Sequence, residues 1–102
     1  MTRTYDEYLK ENLKNTEEAL AFFQVALEEF LENNNLTDFN KALDVLIKSH
    51  GSVANFAKIS GINRTHLYKI LNSEVEPKLS TLKNILDKLG YKITIVSRNK
   101  AA

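Results

Sequence analysis

The chain has no cysteine, one proline and three glycines among its 102 residues. Without cysteine there is neither a disulfide framework nor a thiolate zinc site. With so few glycines and prolines the chain reads as mostly helical. No apolar run approaches the length of a membrane span, and the opening "MTRTYDEYLKENLK" lacks an apolar leader core. These absences predict a soluble, cytoplasmic protein with no membrane association. The only histidines, His50 and His66, fall on different predicted helices, and neither His-x-x-x-His spacing nor a Gly-rich phosphate loop occurs. Glu28, Glu29 and Glu32 read as a solvated helix face, not a paired acid and base. No catalytic residue, metal or cofactor is expected, and the chain is not predicted to be an enzyme.

What is present suits one folded domain: 43% of residues are apolar and 26% charged. The net charge of +1 conceals a division. Residues 1–50 hold five Lys/Arg against ten Asp/Glu, and residues 51–102 hold nine against three, giving −5 and +6. An acidic half beside a basic half suits a protein that holds a basic partner and a polyanion at once.

Apolar periodicity predicts the elements. Tyr5–Lys14 reads as a short first helix. Asn15 reads as the cap of a second, closed by Glu18, with Leu20, Phe23, Leu27 and Phe30 as its stripe and Ala19, Phe22 and Ala26 widening it. Asn33–Asn35 should end it. A further helix capped by Thr37 buries Phe39, Leu43, Leu46 and Ile47 and stops at Gly51. Ser52 then caps "VANFAKIS". Another helix follows Asn63, and a last one, capped by Ser80, buries Leu82, Ile85, Leu86 and Leu89 before Gly90. "YKITIVS" alternates like a strand over 91–97. Its expected mate is either Thr2–Tyr5 or, by preference, the same strand of a second chain. Residues 1–50 are thus an acidic helical part, 52–90 the central helices and 91–97 a strand, all in one domain spanning 1–102.

The stretch "FAKISGINRTHLYKILN", Phe56–Asn72, carries the most information. Two helices joined at Gly61–Asn63 can cross steeply only if their backbones nearly touch. Ala57 provides the small residue and Gly61 the turn that tolerates positive φ. Ile62 fills the corner, and Leu67 and Ile70 face inward. Thr65, Lys69 and Asn72 then point outward, His66 and Tyr68 flank them, and Arg64 extends from the first turn behind Asn63 as N-cap. That face carries no carboxylate, as a DNA backbone requires. Taken singly, Arg64 and Lys69 read as ordinary solvated charges; as a set they favour DNA.

Phe56, Ala57, Gly61, Ile62, Leu67 and Ile70 resemble the helix-turn-helix pattern of the lambda repressor and Cro family. Ser60 departs from it where an apolar residue is usual, as do Val53 and Ala54 where a phosphate-binding glutamine is common. Over most of its length the chain also resembles the probable addiction-module antidote proteins, through "TYDEYL", "NTEEALAFFQVALEE", "GSVANFAKISGINRTHLYKILN" and "PKLSTLKNILDKLGYKITI". The resemblance implies an all-α, lambda repressor-like helix-turn-helix bundle with extra N-terminal helices and one short C-terminal β-strand. It also implies an antitoxin that neutralises a RelE-like toxin and represses its own operon. In such motifs the second helix enters the major groove. Arg64, Thr65, His66, Tyr68 and Lys69 are then the base-reading candidates. Ser52, Asn63, Asn72, Lys78, Ser80 and Thr81 are the phosphate-binding ones. A homodimer on a double-stranded, pseudo-palindromic operator is the expected form. Two rivals remain open: a stand-alone phage-type regulator, and a protein–protein module that reads no DNA.

Overall fold

The computed structural model describes the backbone of residues 5–97 and the side chains of residues 16–97. Five helices follow one another: α1 (Tyr5–Asn33), α2 (Leu36–Ser49), α3 (Val53–Ser60), α4 (Arg64–Leu71) and α5 (Leu79–Leu89).

α1 is one helix, not two. It passes through Asn15, where the sequence suggested a cap. Every glycine and the single proline lie beyond residue 50, so nothing near Asn15 forces a break, and a capping residue alone does not stop a helix. The apolar face expected of Tyr5–Lys14 lies outside the described side chains. Asn34, at φ +58°, ends α1 in the left-handed region, and its N–H donates to Phe30 O at 2.8 Å. α2 starts two residues earlier than a Thr37 cap would place it. Asn35 is the cap: its Oδ1 accepts from Asp38 N at 3.2 Å while its Nδ2 donates to Asp38 Oδ2 at 2.8 Å. The reciprocal pair satisfies a backbone donor that Thr37, inside the first turn, could not reach.

α1 and α2 make the most extensive helix–helix contact. Ala19, Phe23 and Ala26 form the centre of the buried α1 face, with Leu20, Leu27 and Phe30 half-buried beside it. Phe22, expected to widen the stripe, stands instead at its edge, 49% exposed. Phe39 of α2 lies between two α1 rings, 5.4 Å from Phe23 and 5.1 Å from Phe30. Each such pair contributes about 0.5–1.5 kcal/mol beyond area burial. Leu43, Leu46 and Ile47 complete the α2 face as expected and pass the core on to α3 and α4.

α5 also starts earlier than expected. Its first bond runs from Leu82 N to Lys78 O at 2.9 Å, so Lys78 holds the cap position without a side-chain bond. Ser80 and Thr81 lie in the first turn. Gly90, at φ +93°, closes the helix, with Tyr91 N donating to Leu86 O at 2.8 Å.

The expected strand at 91–97 is absent: among the described residues there is no strand at all. Tyr5 opens α1, so it cannot pair there, and Thr2–Thr4 lie outside the described residues. The apolar alternation of Ile93 and Ile95 is real, but a single strand without a mate has no ladder to join. Tyr91 pins the start of this segment, its hydroxyl 2.9 Å from His50 Nε2 and its ring edge-on to the imidazole. Beyond it, Ile95 is 95% exposed.

Candidate nucleic-acid interface

α3 and α4 are eight residues each, joined by Gly61, Ile62 and Asn63. The sequence specifies this corner closely. Ser52 Oγ accepts from Asn55 N at 3.0 Å at the start of α3, and Asn63 Oδ1 accepts from His66 N at 3.0 Å at the start of α4. Gly61 takes φ +77° and its N–H donates to Ala57 O at 3.1 Å. Ala57 and Phe56 are buried, and Ile62 is half-buried against the core.

Ser60, the departure from the repressor pattern, has a local role. Buried at the end of α3, its Oγ accepts from Ile62 N at 3.2 Å and lies 3.4 Å from Ala57 O. The hydroxyl therefore satisfies a turn N–H that an apolar side chain would leave unpaired. Asn84 of α5 donates to Ser60 O at 3.3 Å and ties the last helix to this turn. Neither bond was visible in the periodicity, which reports faces and not partners.

Leu67, Ile70 and Leu71 hold α4 onto the core. The opposite face is open: Arg64, Thr65, His66, Tyr68 and Lys69 are all exposed, so the structure places the five base-reading candidates on one uncovered helix. The Arg64 guanidinium sits over the Tyr68 ring, 5.6 Å from its centroid, a cation–π contact across one turn. Tyr68 thus serves as a platform for Arg64. No carboxylate occurs between Ser52 and Ser73; the next are Glu74 and Glu76 in the loop after α4.

The phosphate candidates are spread around this helix. Asn63 and Ser52 are exposed, with their side-chain oxygens engaged as caps. Asn72 is the exposed C-cap of α4, Lys78 and Ser80 are exposed at the start of α5, and Thr81 is half-buried. α3 packs on both α4 and α5, so these helix ends belong to one connected unit. The 73–78 loop is anchored from below by Asn40, fully buried on α2, whose Nδ2 donates to Val75 O at 3.3 Å. Asn40 was not expected in the core, because its position on the α2 face reads as polar.

Among the described residues no group of three or more His, Asp or Glu is placed to hold a metal ion. No described helix is long and apolar enough to cross a membrane.

Five helices, among them the carboxylate-free α4 and the acidic pair α1 and α2, make up a small all-helical domain. Compared with known families, residues 4–97 match the model described as probable addiction module antidote protein, and the chain belongs to that family. No curated protein and no solved structure matches it. Membership gives the chain an antidote role and implies a toxin partner of some kind.

Proposed function

We propose that this chain is a DNA-binding antitoxin: a homodimer that neutralises a RelE-like toxin and represses its own operon. α3 and α4 act as a lambda repressor-like helix-turn-helix. The observation that carries the reading is the α4 surface, where every inward residue is buried and every outward one is an exposed, non-acidic group. With α4 in a major groove, Arg64 and Lys69 donate to guanine O6/N7, each contributing about 1–3 kcal/mol of discrimination. Thr65 offers its methyl to thymine, and His66 and Tyr68 reach neighbouring edges. Asn63, Asn72 and Lys78 and the helix starts at Ser52 and Ser80/Thr81 take phosphates.

One such domain makes few contacts, so dimerisation is part of the proposal. The segment 91–97 supports it. Ile93 and Ile95 line an exposed apolar groove with Leu31, Leu79 and Leu82, where Glu76 is the only charged residue among the described ones. A second copy that pairs this segment with its own gives it the ladder it lacks in one chain. The role is one of binding, with no catalytic step, in the cytoplasm.

A mobility shift on the chain's own upstream region, run across a salt series, tests the reading. Sequence-selective retention at physiological salt is expected, with affinity falling steeply as salt rises. Binding that vanishes above low salt, or that ignores sequence, refutes the repressor and leaves a protein–protein module.

A further inference from the structure

A second exposed apolar surface lies between α1 and α2. Glu18, Phe22, Val25 and Glu29 follow one line of α1, at i, i+4, i+7 and i+11. Phe22 and Val45 of α2 are shared by two adjoining hollows that together form a groove, one floored by Ala19 and edged by Glu18 and Lys48, the other floored by Ala26 and edged by Glu29, Asp38 and Lys41. Phe22 is 49% exposed, Val25 57% and Val45 39%. The core does not need them, since Phe23, Ala19 and Ala26 already bury the α1 face. Large apolar groups above an alanine floor make a groove that fits an apolar anchor of another molecule.

Charge identifies the occupant. Residues 16–49 carry seven carboxylates and two lysines, a net of −5 (Glu17, Glu18, Glu28, Glu29, Glu32, Asp38 and Asp44 against Lys41 and Lys48). Lys48 is already held by Asp44 at 3.1 Å. Nucleic acid is repelled by such a face. A second copy docking through the same face sets like charge against like. A copy docking it onto the basic half makes a head-to-tail contact that does not close. A cationic protein meets none of these objections.

We infer that the α1/α2 groove docks a basic protein partner. An apolar side chain of the partner seats among Phe22, Val25 and Val45, and its Lys or Arg residues meet Glu18, Glu29 and Asp38. The inference rests on the antidote reading and deepens it, because the groove is then the surface that takes the toxin. Among the described residues, its lining comes from α1 and α2.

The test uses the full-length chain and the protein encoded by the adjoining reading frame, with calorimetric affinity and rescue of growth as readouts. Phe22→Ser with Val25→Ser is expected to weaken binding at least tenfold and to lose rescue. Glu18→Lys with Glu29→Lys is expected to weaken it comparably and to reduce its salt dependence. Ile59→Ser, an equally exposed apolar change on α3, should leave affinity unchanged. Circular dichroism checks each variant; if the double serine variant loses helicity, the charge reversal alone decides. Wild-type binding and rescue with undiminished affinity in the groove variants overturn the inference and leave the antidote reading standing. Failure of the wild-type chain to bind or rescue overturns the antidote reading for that pair and the inference with it.

Discussion

At Gly61 a Cβ would meet no atom within 4 Å, so the reason for glycine is its φ of +77° and not space. Gly61→Ala should therefore cost about 1–2 kcal/mol through the backbone alone, read as a lower urea midpoint with an unchanged slope. Ala57 has the opposite problem: it is buried on the face of α3 that meets the core. Ala57→Leu should destabilise by about 1–3 kcal/mol through overpacking. His50 gives a pH signature. Partial burial lowers its pKa below the ordinary value, so the folded chain holds the imidazole neutral where the unfolded chain protonates it. Stability is unaffected above the unfolded pKa and falls as pH drops through about 6.5 toward the lowered folded value. Urea midpoints at pH 7.5 and 5.5 should show a larger drop in wild type than in His50→Asn; an equal drop would remove His50 as the cause. Residue-scale signals were the most legible in the sequence. Ser52, Gly61, Asn63 and Gly90 stand where local backbone chemistry demands them. Ser60, Asn40 and Asn84 were not legible, because their value lies in a partner distant in sequence or across a turn.

Element boundaries depend on competition between neighbouring signals, and this is where the sequence misled. Asn15 and Glu18 make an acceptable capping pair, yet the chain stays helical through them. Asn35 displaces Thr37 because its amide both accepts from and donates to Asp38. Asn35→Ala should then cost about 1 kcal/mol, whereas Thr37→Ala should cost much less; thermal melts of the two separate them. The 91–97 segment shows the other limit. Alternation marks which residues share a face, but a strand exists only where another strand accepts it. Removing residues 91–97 should convert the proposed dimer to a monomer in sedimentation; a truncated chain that stays dimeric would place the interface elsewhere.

At the scale of the whole molecule, charge and exposure agree. The acidic helical pair α1/α2 and the basic part that follows it are opposite in sign, and each carries its own uncovered surface. The division was readable from charge counts; the α1/α2 groove was not, since Phe22 reads as core on periodicity alone. The antidote role follows from the family, and the proposed role of exposed α4 is to read an operator. The most direct measurement is the affinity of Arg64→Ala with Lys69→Ala, set against wild type, on the native upstream duplex and on a scrambled one. If α4 reads the operator, the double variant loses at least tenfold on the native duplex, the native-to-scrambled ratio collapses, and helicity is unchanged. Equal affinity of variant and wild type for the native duplex would contradict that role.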